Sequence, residues 1–373
     1  MPELFKMKMN KYRMYNAVYV FVITAVAVAA LAGCSERKKY DYPDFKIERE
    51  AEFELMTGEL ESINVPSDMY LSGDYIVIIG YDRVNQTFVH IYDREKGSLV
   101  ADGIRMGRGP KEIMIPILNS MNYNEESVVI YDSGAGRLSI PVESFVSTGL
   151  AAVGQEPYEI PSFISSLMDA GDLRVVIRAM PSGKDISDMT RIEIQTEDGT
   201  VLYRYNEFPD IGDISLCRSI YSFTTGTVSP DGKKMALAPS SWGGILEFFS
   251  LEDGIENRKT EYMFSPGVRS PDGMNIELTE DAASGFQDLY ATDERLYGAV
   301  GNGVKFLSNN KLPLEDRLLT SPDVVIFDWK GRAVEKIETD YNVLCLCADE
   351  EKGELYAVIS DVYQRNYIGK LSI

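Results

Sequence analysis

The chain has 373 residues, of which 58 are acidic and 37 are basic, and its net charge near neutral pH is −21. Because this excess of negative charge repels nucleic acid, the sequence excludes a role in nucleic-acid binding. The chain has one histidine and four cysteines. Histidine-dependent hydrolysis, multi-histidine metal sites and cytochrome-type haem therefore lack their usual residues.

Residues 1–33 have the pattern of a secretory signal. Four basic residues precede Ala17–Gly33, an uncharged apolar run that ends in small residues. A basic start followed by an apolar core is typical of a segment that is removed from the mature protein. An uncleaved membrane anchor is the alternative, but a run of 17 residues is at the short limit for a span, which usually needs about 20.

The apolar run is followed by Cys34. The ending Leu-Ala-Gly-Cys resembles the lipobox of bacterial lipoprotein signals, which implies that the Cys34 thiol is lipidated after cleavage before it. Residues 34–44 are charged and nearly free of aliphatic residues, so they are predicted to be a tether between the lipid and the folded body. Cleavage removes four basic residues and one acidic residue, which leaves 340 residues with a net charge of −24.

One phrase recurs along the rest of the chain: a polar turn followed by a short, continuous apolar strand. Such runs, bounded by turn residues, are typical of strands that are buried on both faces. A loop and an alternating strand follow each copy, and most of these strands end in acid and glycine, as hairpin turns do. The six copies are Leu71–Gly80, Asn122–Asp132, Asp169–Ala179, Ser229–Ala238, Ala291–Val300 and Ala348–Asp361.

The spacing of the copies predicts the fold. Their turn markers lie 46 to 62 residues apart, with no helical pattern between them. This spacing predicts an all-β chain that forms a six-bladed β-propeller over residues 45–373, with four-stranded blades. The last unit stops at its third strand, so Phe45–Leu55 is predicted to close the ring by pairing with Tyr367–Ile373. Alternate positions of Phe45–Leu55 are mostly apolar, so one of its faces is predicted to be buried.

Two stretches resemble a known family. Thr227–Ala238, TVSPDGKKMALA, is similar to the TolB-type propeller repeat. Arg105–Glu112, RMGRGPKE, resembles the Gly-x-Gly-Pro-x-Glu loop of six-bladed, TolB-like propeller lipoproteins of Gram-negative bacteria, although Lys111 stands where glycine is frequent. The resemblance implies a propeller over essentially the whole mature chain, and its motifs mark blades rather than an activity. The glycine loop is either a structural turn or a nest of N–H groups that holds an anion.

The remaining cysteines and the histidine are predicted to be packing residues. Cys345 and Cys347 are two apart in an apolar strand and so face the same side. A metal pair is the alternative there, but no histidine or acid cluster lies beside the cysteines in the sequence. Cys217 is predicted to be a small buried hydrophobic residue, and His90 shares a strand face with Phe88. The sequence predicts no catalytic residue, no metal site and no cofactor.

Candidate ligand-binding residues come from loops that a propeller gathers at one face of its channel. These are the loops after each second strand, the ends of those strands, and the connections between units. A ring of cationic and aromatic groups on an acidic body would favour an anionic or sugar-like ligand. Simple pairing of these cations with nearby carboxylates is the alternative. The candidates are Arg105, Arg108, Lys111, Arg178, Trp242, Lys305, Tyr363 and Arg365.

The loop Gly301–Asp323 is longer than its counterparts in the other units and contains many apolar residues. A loop of this kind needs a surface on which to pack. It is predicted either to cover the channel as a partial lid or to pack on the side of the neighbouring unit.

The sequence therefore predicts a lipid-anchored propeller of the cell envelope, in the outer membrane, that contacts the membrane only through its lipid. We expect a binding or scaffold module for a protein or a glycan. The alternative is a metal-dependent enzyme of the propeller lactonase or lyase kind that uses channel carboxylates. A basic and aromatic channel mouth would favour binding, whereas three or more convergent carboxylate or amide oxygens would favour the enzyme.

Overall fold

The computed structural model describes residues 40–60, 63–114, 116–117, 122–124, 127–161, 164–179, 190–212, 214–271 and 275–373. The signal segment, Cys34 and the tether as far as residue 39 lie outside the described residues. The folded unit is Tyr40–Ile373. Within the described ranges, no helix is both long enough and apolar enough to cross a membrane.

Six sheets form a ring, each with four antiparallel strands, and a fifth strand is added in parallel to one of them, which confirms the six-bladed propeller. Each of the first three blades consists of four strands that are consecutive in the chain. Blade 1 contains β3 (Ile63–Ser72), β4 (Tyr75–Asp82), β5 (Thr87–Asp93) and β6 (Leu99–Arg105). Blade 2 contains β7 (Asn122–Asn124), β8 (Ser127–Asp132), β9 (Gly136–Pro141) and β10 (Gly154–Glu156). Blade 3 contains β11 (Ile164–Ala170), β12 (Leu173–Arg178), β13 (Ile192–Thr196) and β14 (Val201–Tyr205).

The last three blades continue the pattern, and the N-terminal strands β1 (Ile47–Ala51) and β2 (Glu54–Leu55) join the final two. Blade 4 contains β15 (Thr224–Val228), β16 (Lys234–Pro239), β17 (Gly244–Ser250) and β18 (Glu256–Phe264). Blade 5 contains β21 (Phe286–Ala291), β22 (Arg295–Val300), β23 (Asp323–Asp328), β24 (Ala333–Thr339) and β1. Blade 6 contains β25 (Asn342–Asp349), β26 (Glu354–Ser360), β27 (Asn366–Ser372) and β2. A small hairpin, β19 (Val268–Arg269) with β20 (Glu277–Leu278), lies between blades 4 and 5.

Short helices, which the sequence pattern did not predict, lie in the connections. They are α1 (Val142–Thr148), α2 (Ile214–Ile220) and α3 (Phe306–Asn309). Short 3-10 turns follow α1 at Gly149–Ala152 and α3 at Leu314–Asp316. Helix α1 replaces a tight turn in blade 2, and it buries Val142 and Phe145 in the core shared by blades 1 and 2.

The predicted first hairpin turns are confirmed where the structure describes them. Gly73, Gly171, Gly232 and Gly353 all have positive φ, between 56° and 71°. This backbone region is strained for residues with a Cβ atom. The glycines therefore allow each first strand to reverse directly into the buried second strand.

The second strands are buried throughout their central residues, as predicted. The third strands were predicted to alternate, and this is correct for β9 but wrong for β5, β13, β17 and β23, which are almost continuously buried. The reason is that both faces of these blades are covered by neighbouring blades. Polar side chains on these strands are therefore buried, and each needs a partner inside the protein.

Arg191 and Glu247 form such a pair between blades 3 and 4. Their side chains are only 2% and 1% exposed. Arg191 Nη1 donates to Glu247 Oε1 at 3.0 Å and to the carbonyl oxygen of Glu207 at 2.8 Å, while Nη2 donates to Glu247 Oε2. The guanidinium lies 4.3 Å from the ring centroid of Tyr221 and 4.8 Å from that of Phe208. The ion pair is thus buried, bidentate and enclosed by aromatic rings.

The N-terminal segment closes the ring, but in two parts. Strand β2, Glu54–Leu55, pairs antiparallel with Lys370 and Gly369 of β27, as predicted. The preceding strand β1, Ile47–Ala51, instead pairs in parallel with β24 of blade 5. The prediction that all of Phe45–Leu55 pairs with β27 is therefore wrong for β1. The segment bridges the outer edges of blades 5 and 6.

The prediction of one buried face along this segment is also wrong. Phe45 and Phe53 are 8% and 6% exposed, but Ile47 and Leu55 are 51% and 45% exposed. The segment pairs first with blade 5 and then with blade 6. The alternation of buried and exposed side chains therefore does not continue along its whole length. The two phenylalanines anchor it at different places, since Phe45 packs in the core of blades 4 and 5 and Phe53 in that of blades 5 and 6.

The contacts with the body begin before residue 45. The Asp41 N–H donates to the carbonyl oxygen of Tyr262 at 3.0 Å, and the Tyr42 hydroxyl donates to Asp323 Oδ2 at 3.0 Å. The Tyr42 ring stacks on Phe264 with a centroid distance of 6.4 Å. The last residues of the predicted tether 34–44 are therefore part of the folded body.

We predict that Arg191→Met destabilises the protein strongly. Removing one partner of a buried ion pair leaves an uncompensated charge, which costs about 3–5 kcal/mol. The control is Arg269→Met, which removes an exposed pair with Glu277 and should cost less than about 1 kcal/mol. Urea denaturation of both variants measures the two free energies of unfolding. Equal losses would contradict the structural role of Arg191.

We predict that Phe53→Ala weakens the closure of the ring. Removing a buried phenylalanine side chain costs about 3–5 kcal/mol. Leu55→Ala is the control, because Leu55 lies in the same closing segment but is largely exposed, and surface substitutions usually change stability by less than about 0.5 kcal/mol. Thermal unfolding monitored by circular dichroism compares the two variants. A similar melting temperature for both would show that Phe53 does not anchor the segment.

Candidate functional site

A cavity of about 1080 Å³ lies on the axis of the ring. The inner strands of five blades line it, and blade 2 contributes Val129 and Arg137. Residues of the first hairpin turns, such as Gly73, Gly171 and Pro230, lie at its edge. The cavity therefore opens at the face of the ring that carries these turns, here called the hairpin face.

The lining residues that lie farthest from the turns mark the deep end of the cavity. They include Asp68 of β3, Thr225 of β15, Asp288 of β21 and Leu346 of β25. Asp68 lies five residues before Gly73, so the extended strand places it about 15 Å from the turn. The cavity is deep relative to the length of one side chain.

Carboxylates outnumber basic groups along the cavity. The acidic lining residues are Asp68, Asp169, Asp288, Asp349, Glu350 and Glu351, and the basic ones are Arg94 and Arg137. The wall also presents hydroxyl groups, on Thr225, Thr227, Ser229, Tyr290 and Thr292. A channel with this lining attracts cations and can form hydrogen bonds with hydroxyl-rich ligands.

Several of the carboxylates near the mouth already have partners. Arg94 Nη2 lies 2.5 Å from Asp349 Oδ2. Glu350 accepts hydrogen bonds from the hydroxyl of Tyr297 at 2.9 Å and from that of Thr292 at 3.0 Å. These groups are held by the walls of the channel, so they are positioned before any ligand arrives.

Asp288 joins two blades at the deep end. Its Oδ2 accepts the N–H of Leu346 in blade 6 at 2.9 Å, and its Oδ1 accepts the N–H of Leu289 at 2.8 Å. A register shift in β21 between Phe286 and Asp288 accompanies this arrangement. Burial raises the pKa of Asp288 to about 7, although the two N–H groups favour its charged form.

Asp68 lies close to Asp288 but is less well satisfied. Tyr70 forms a side-chain hydrogen bond with it, while its buried Oδ2 has no hydrogen-bond partner among the residues that the structure describes. Burial, together with the Asp288 carboxyl, raises the pKa of Asp68 well above its ordinary value. The deep end of the channel therefore contains two neighbouring carboxyl groups that resist ionisation at the same time.

None of the eight candidate binding residues from the sequence lines this cavity. They lie at the opposite end of the ring, in the loops after second strands and in the connections between blades. Several already contact protein groups there: Arg178 pairs with Glu193, Lys305 with Asp281 at 2.6 Å, and Arg365 with Asp361 at 2.5 Å. Ligand binding by the eight residues stays a prediction.

The other candidates show no common centre. Arg105 and Arg108 are exposed, and the ring of Tyr363 lies 5.3 Å from the Arg365 guanidinium. Lys111 Nζ donates to the carbonyl oxygen of Leu150 at 2.8 Å. Arg105, Arg108 and Lys111 lie at the end of β6 and in the connection after it, whereas Tyr363 and Arg365 lie together in blade 6. The contacts that the structure gives these residues are local.

The Gly-x-Gly-Pro-x-Glu loop is closed by its own glutamate. The Gly109 N–H donates to Glu112 Oε2 at 2.6 Å, and a Cβ atom at Gly107 would lie 1.9 Å from the same oxygen. Lys111, which replaces a frequent glycine, has a φ of 60°. The Glu112 carboxylate thus contacts the backbone where an anion would bind in a nest, which favours the structural turn.

The long loop Gly301–Asp323 packs on the neighbouring connection. The Phe306 N–H donates to the carbonyl oxygen of Ala282 at 2.7 Å, and the Phe306 ring lies 5.3 Å from Trp242, edge to face. Asn309 is buried and forms two hydrogen bonds with the backbone of Leu318. These contacts agree with packing on the neighbouring unit. No residue of the loop lines the cavity, which opens at the other face of the ring, so a partial lid at the loop face stays a prediction.

The cysteines and the histidine are packing residues, as predicted. Cys217, Cys345 and Cys347 are buried thiols that form no disulfide within the described ranges, and burial raises the pKa of the Cys345 and Cys347 thiols. His90 is buried with Nε2 at 3.0 Å from the carbonyl oxygen of Gly80, and burial lowers its pKa. Among the described residues, no group of three or more histidine, cysteine or acidic side chains could hold a metal ion.

Sequence reasoning missed the two deep aspartates, although a signal was present. Ser67–Leu71 reads SDMYL and Gln287–Ala291 reads QDLYA, so both stretches have an aspartate followed by an apolar residue and a tyrosine. Both stretches lie in first strands, just before the recognised turns. The recurring turn-and-strand phrase is most regular in the second strands, which are buried between blades. Most of the channel wall is formed by the first strands, where the aspartates lie.

Comparisons with known proteins found only distant similarity, to solved structures. No protein-family model matches the chain, and no curated protein matches it. Among solved structures, hydrazine synthase of Kuenenia stuttgartiensis is similar at 11% identity, over 80% of this chain and 77% of that chain, with a TM-score of 0.42. A structure of U3-55K is similar at 9% identity, over 87% of this chain and 99% of that chain, with a TM-score of 0.48. At these identities neither structure indicates a function for this chain.

Proposed function

We propose that this protein is a TolB-like propeller lipoprotein of the outer membrane, held there by lipid on Cys34, that binds a protein segment or a glycan in its central channel. The observation that carries the proposal is the cavity of about 1080 Å³ on the ring axis. Ligand pockets in proteins usually have volumes of about 300–1000 Å³. The channel is therefore large enough for several residues or sugar units.

The chemistry of the wall supports binding. Hydroxyl and carboxylate groups come from several inner strands, and the arginines are fixed by contacts such as Arg94 with Asp349. Groups that are held in place before binding lose little entropy when a ligand arrives, so they favour affinity. Inner strands are also firmer supports for such groups than the loops at the other face.

The metal-dependent enzyme is the weaker alternative. Three or more convergent carboxylate or amide oxygens would favour it, and Asp68 and Asp288 bring carboxyl oxygens together at the deep end. The described part of the chain, however, has no group of three or more histidine, cysteine or acidic side chains that could hold a metal ion. Both Asp288 oxygens accept backbone N–H groups. This pattern suits a carboxylate that holds blades together better than one that is free to bind a metal ion.

We predict that filling the channel abolishes ligand binding. Thr227→Trp adds a large side chain to the channel wall, and Leu202→Trp, on the exposed face of β14, is the matched control. The wild type and both variants are applied to a glycan array and used for affinity capture from envelope extract. The ligand of the wild type should bind Leu202→Trp and be lost from Thr227→Trp, with melting temperatures unchanged. If Thr227→Trp binds as well as the wild type, the channel is not the binding site.

We predict that Cys34 carries the lipid. Cells that express the full chain are labelled with a fatty-acid analogue, and the membrane fraction is examined. The wild type should be labelled and membrane-bound, whereas Cys34→Ala lacks the thiol and should be neither. The control is Cys217→Ala, since Cys217 is buried in the folded body, and it should behave like the wild type. Equal labelling of Cys34→Ala would refute lipid attachment at this residue.

A further inference from the structure

No basic side chain from the described part of the chain lines the deep end of the channel. Among the described residues, Arg94 is paired with Asp349 and Glu354, and Arg137 with Glu156. Neither contacts Asp68 or Asp288 in an ion pair. The two aspartates are thus carboxyl groups without a basic partner at the end of a cavity that is lined mainly by acids.

One carboxyl oxygen of Asp68 is buried without a hydrogen-bond partner in the described part of the chain. A buried oxygen that forms no hydrogen bond is unfavourable, and the penalty is larger when the group is charged. Asp288 has two backbone donors, but Asp68 Oδ2 has no partner within the described ranges. A donor group carrying positive charge would satisfy this oxygen and would also balance the neighbouring Asp288.

We propose that the deep end of the channel binds a primary alkylammonium group, of the kind that a lysine side chain or a free aliphatic amine presents, with Asp68 as its main acceptor. The proposal rests on the proposed function, because it names the chemistry of the group that enters the channel. A compact ammonium ion with three donors suits a narrow, acidic end. Glu350 and Glu351 at the mouth add attraction for a cation that approaches from solvent.

Ammonium binding should be coupled to proton release. Without a ligand, the raised pKa values of Asp68 and Asp288 keep a proton on the pair near neutral pH. When the cation binds, this proton leaves for the solvent. Raising the pH through about 7 should therefore strengthen binding, since Asp288 ionises around that value. The other titratable groups that interact with the pair, Tyr70, Cys345 and Cys347, stay neutral because burial raises their pKa values.

The raised pKa of Asp288 also allows a control for the stability of the fold. The raised pKa of Asp288 means that the folded protein holds protons that the unfolded chain loses near pH 4. This contribution to stability is present below pH 4 and is lost as the pH rises through about 7. Asp68→Asn removes one of the two coupled charges and keeps an acceptor for Tyr70. It should therefore melt no lower than the wild type at about pH 8.

The test is calorimetric titration of the full chain with matched probes at about pH 8 and about pH 5.5. Cadaverine is compared with 1,5-pentanediol, and N-acetyl-lysine amide with N-acetyl-norleucine amide, so each pair differs in its ammonium groups. At the higher pH the amines should bind and their neutral partners should not. Affinity should fall about tenfold or more at the lower pH, where the carboxyl pair is protonated. Binding of both amines supports a lysine side chain as the source, and binding of cadaverine alone supports a free amine.

The matched variants are Asp68→Asn and Glu351→Gln, each of which removes one negative charge from the same cavity. Asp68→Asn should weaken binding about tenfold or more, because it removes a charge-assisted hydrogen bond. Glu351→Gln, at the exposed mouth, should change affinity by less than about threefold, since exposed charges are screened. Equal losses, equal binding of 1,5-pentanediol, or no binding of either amine would overturn the proposal. If no amine binds while Thr227→Trp still abolishes capture, the channel function stands and the ammonium site does not.

Discussion

The ring depends on the pairing of its N-terminal segment with blades 5 and 6. Blade 6 has only three strands from the C-terminal part of the chain, and β2 supplies the fourth by pairing with Gly369 and Lys370. Strand β1 adds to blade 5 at the same time. Residues more than 300 positions apart are thus held together, and the edge of β27 is covered by β2. The loop entropy of so long a closure must be offset by contacts such as the buried side chain of Phe53.

Closure of the ring also determines where polar groups are buried. Once blades pack on both sides, third strands such as β17 have no solvent-exposed face, and Glu247 on that strand is buried against Arg191 of blade 3. The inner strands are different, because one side of each faces the channel. Asp68 and Asp288 lie on these strands, and both follow register shifts in the pairing with the second strand. The architecture therefore places satisfied ion pairs between blades and less satisfied carboxyls at the axis.

The sequence was sufficient to predict the blades but not the channel. The turn glycines and the second strands repeat along the chain, and local backbone preference determines them, so Gly73 and Gly353 could be recognised without a structure. The change of pairing partner between β1 and β2 could not be recognised in this way. The alternation of apolar residues in Phe45–Leu55 gives no information on which blade each residue contacts. Asp68 and Asp288 lie more than 200 residues apart, and only the ring brings them together. Their shared Asp-apolar-Tyr pattern can be recognised in the sequence. The pattern alone does not show that the two aspartates lie close together in the channel.

The acidity of the channel mouth follows from the same geometry. Hairpin turns favour aspartate and glycine for backbone reasons, so a ring of six blades collects acids such as Asp172 and Glu351 around the end where these turns meet. The loops at the other end hold cations beside acids, as in the pair of Lys305 with Asp281. A channel that opens at the hairpin face therefore becomes acidic through turn chemistry alone. Turn chemistry does not explain the aspartate pair about 15 Å inside, on extended strand. Asp288 has a structural reason, because its two oxygens accept the N–H groups of Leu289 and Leu346. Asp68 has no such reason for its Oδ2, which has no hydrogen-bond partner within the described ranges, and for this group a ligand gives the better physical reason.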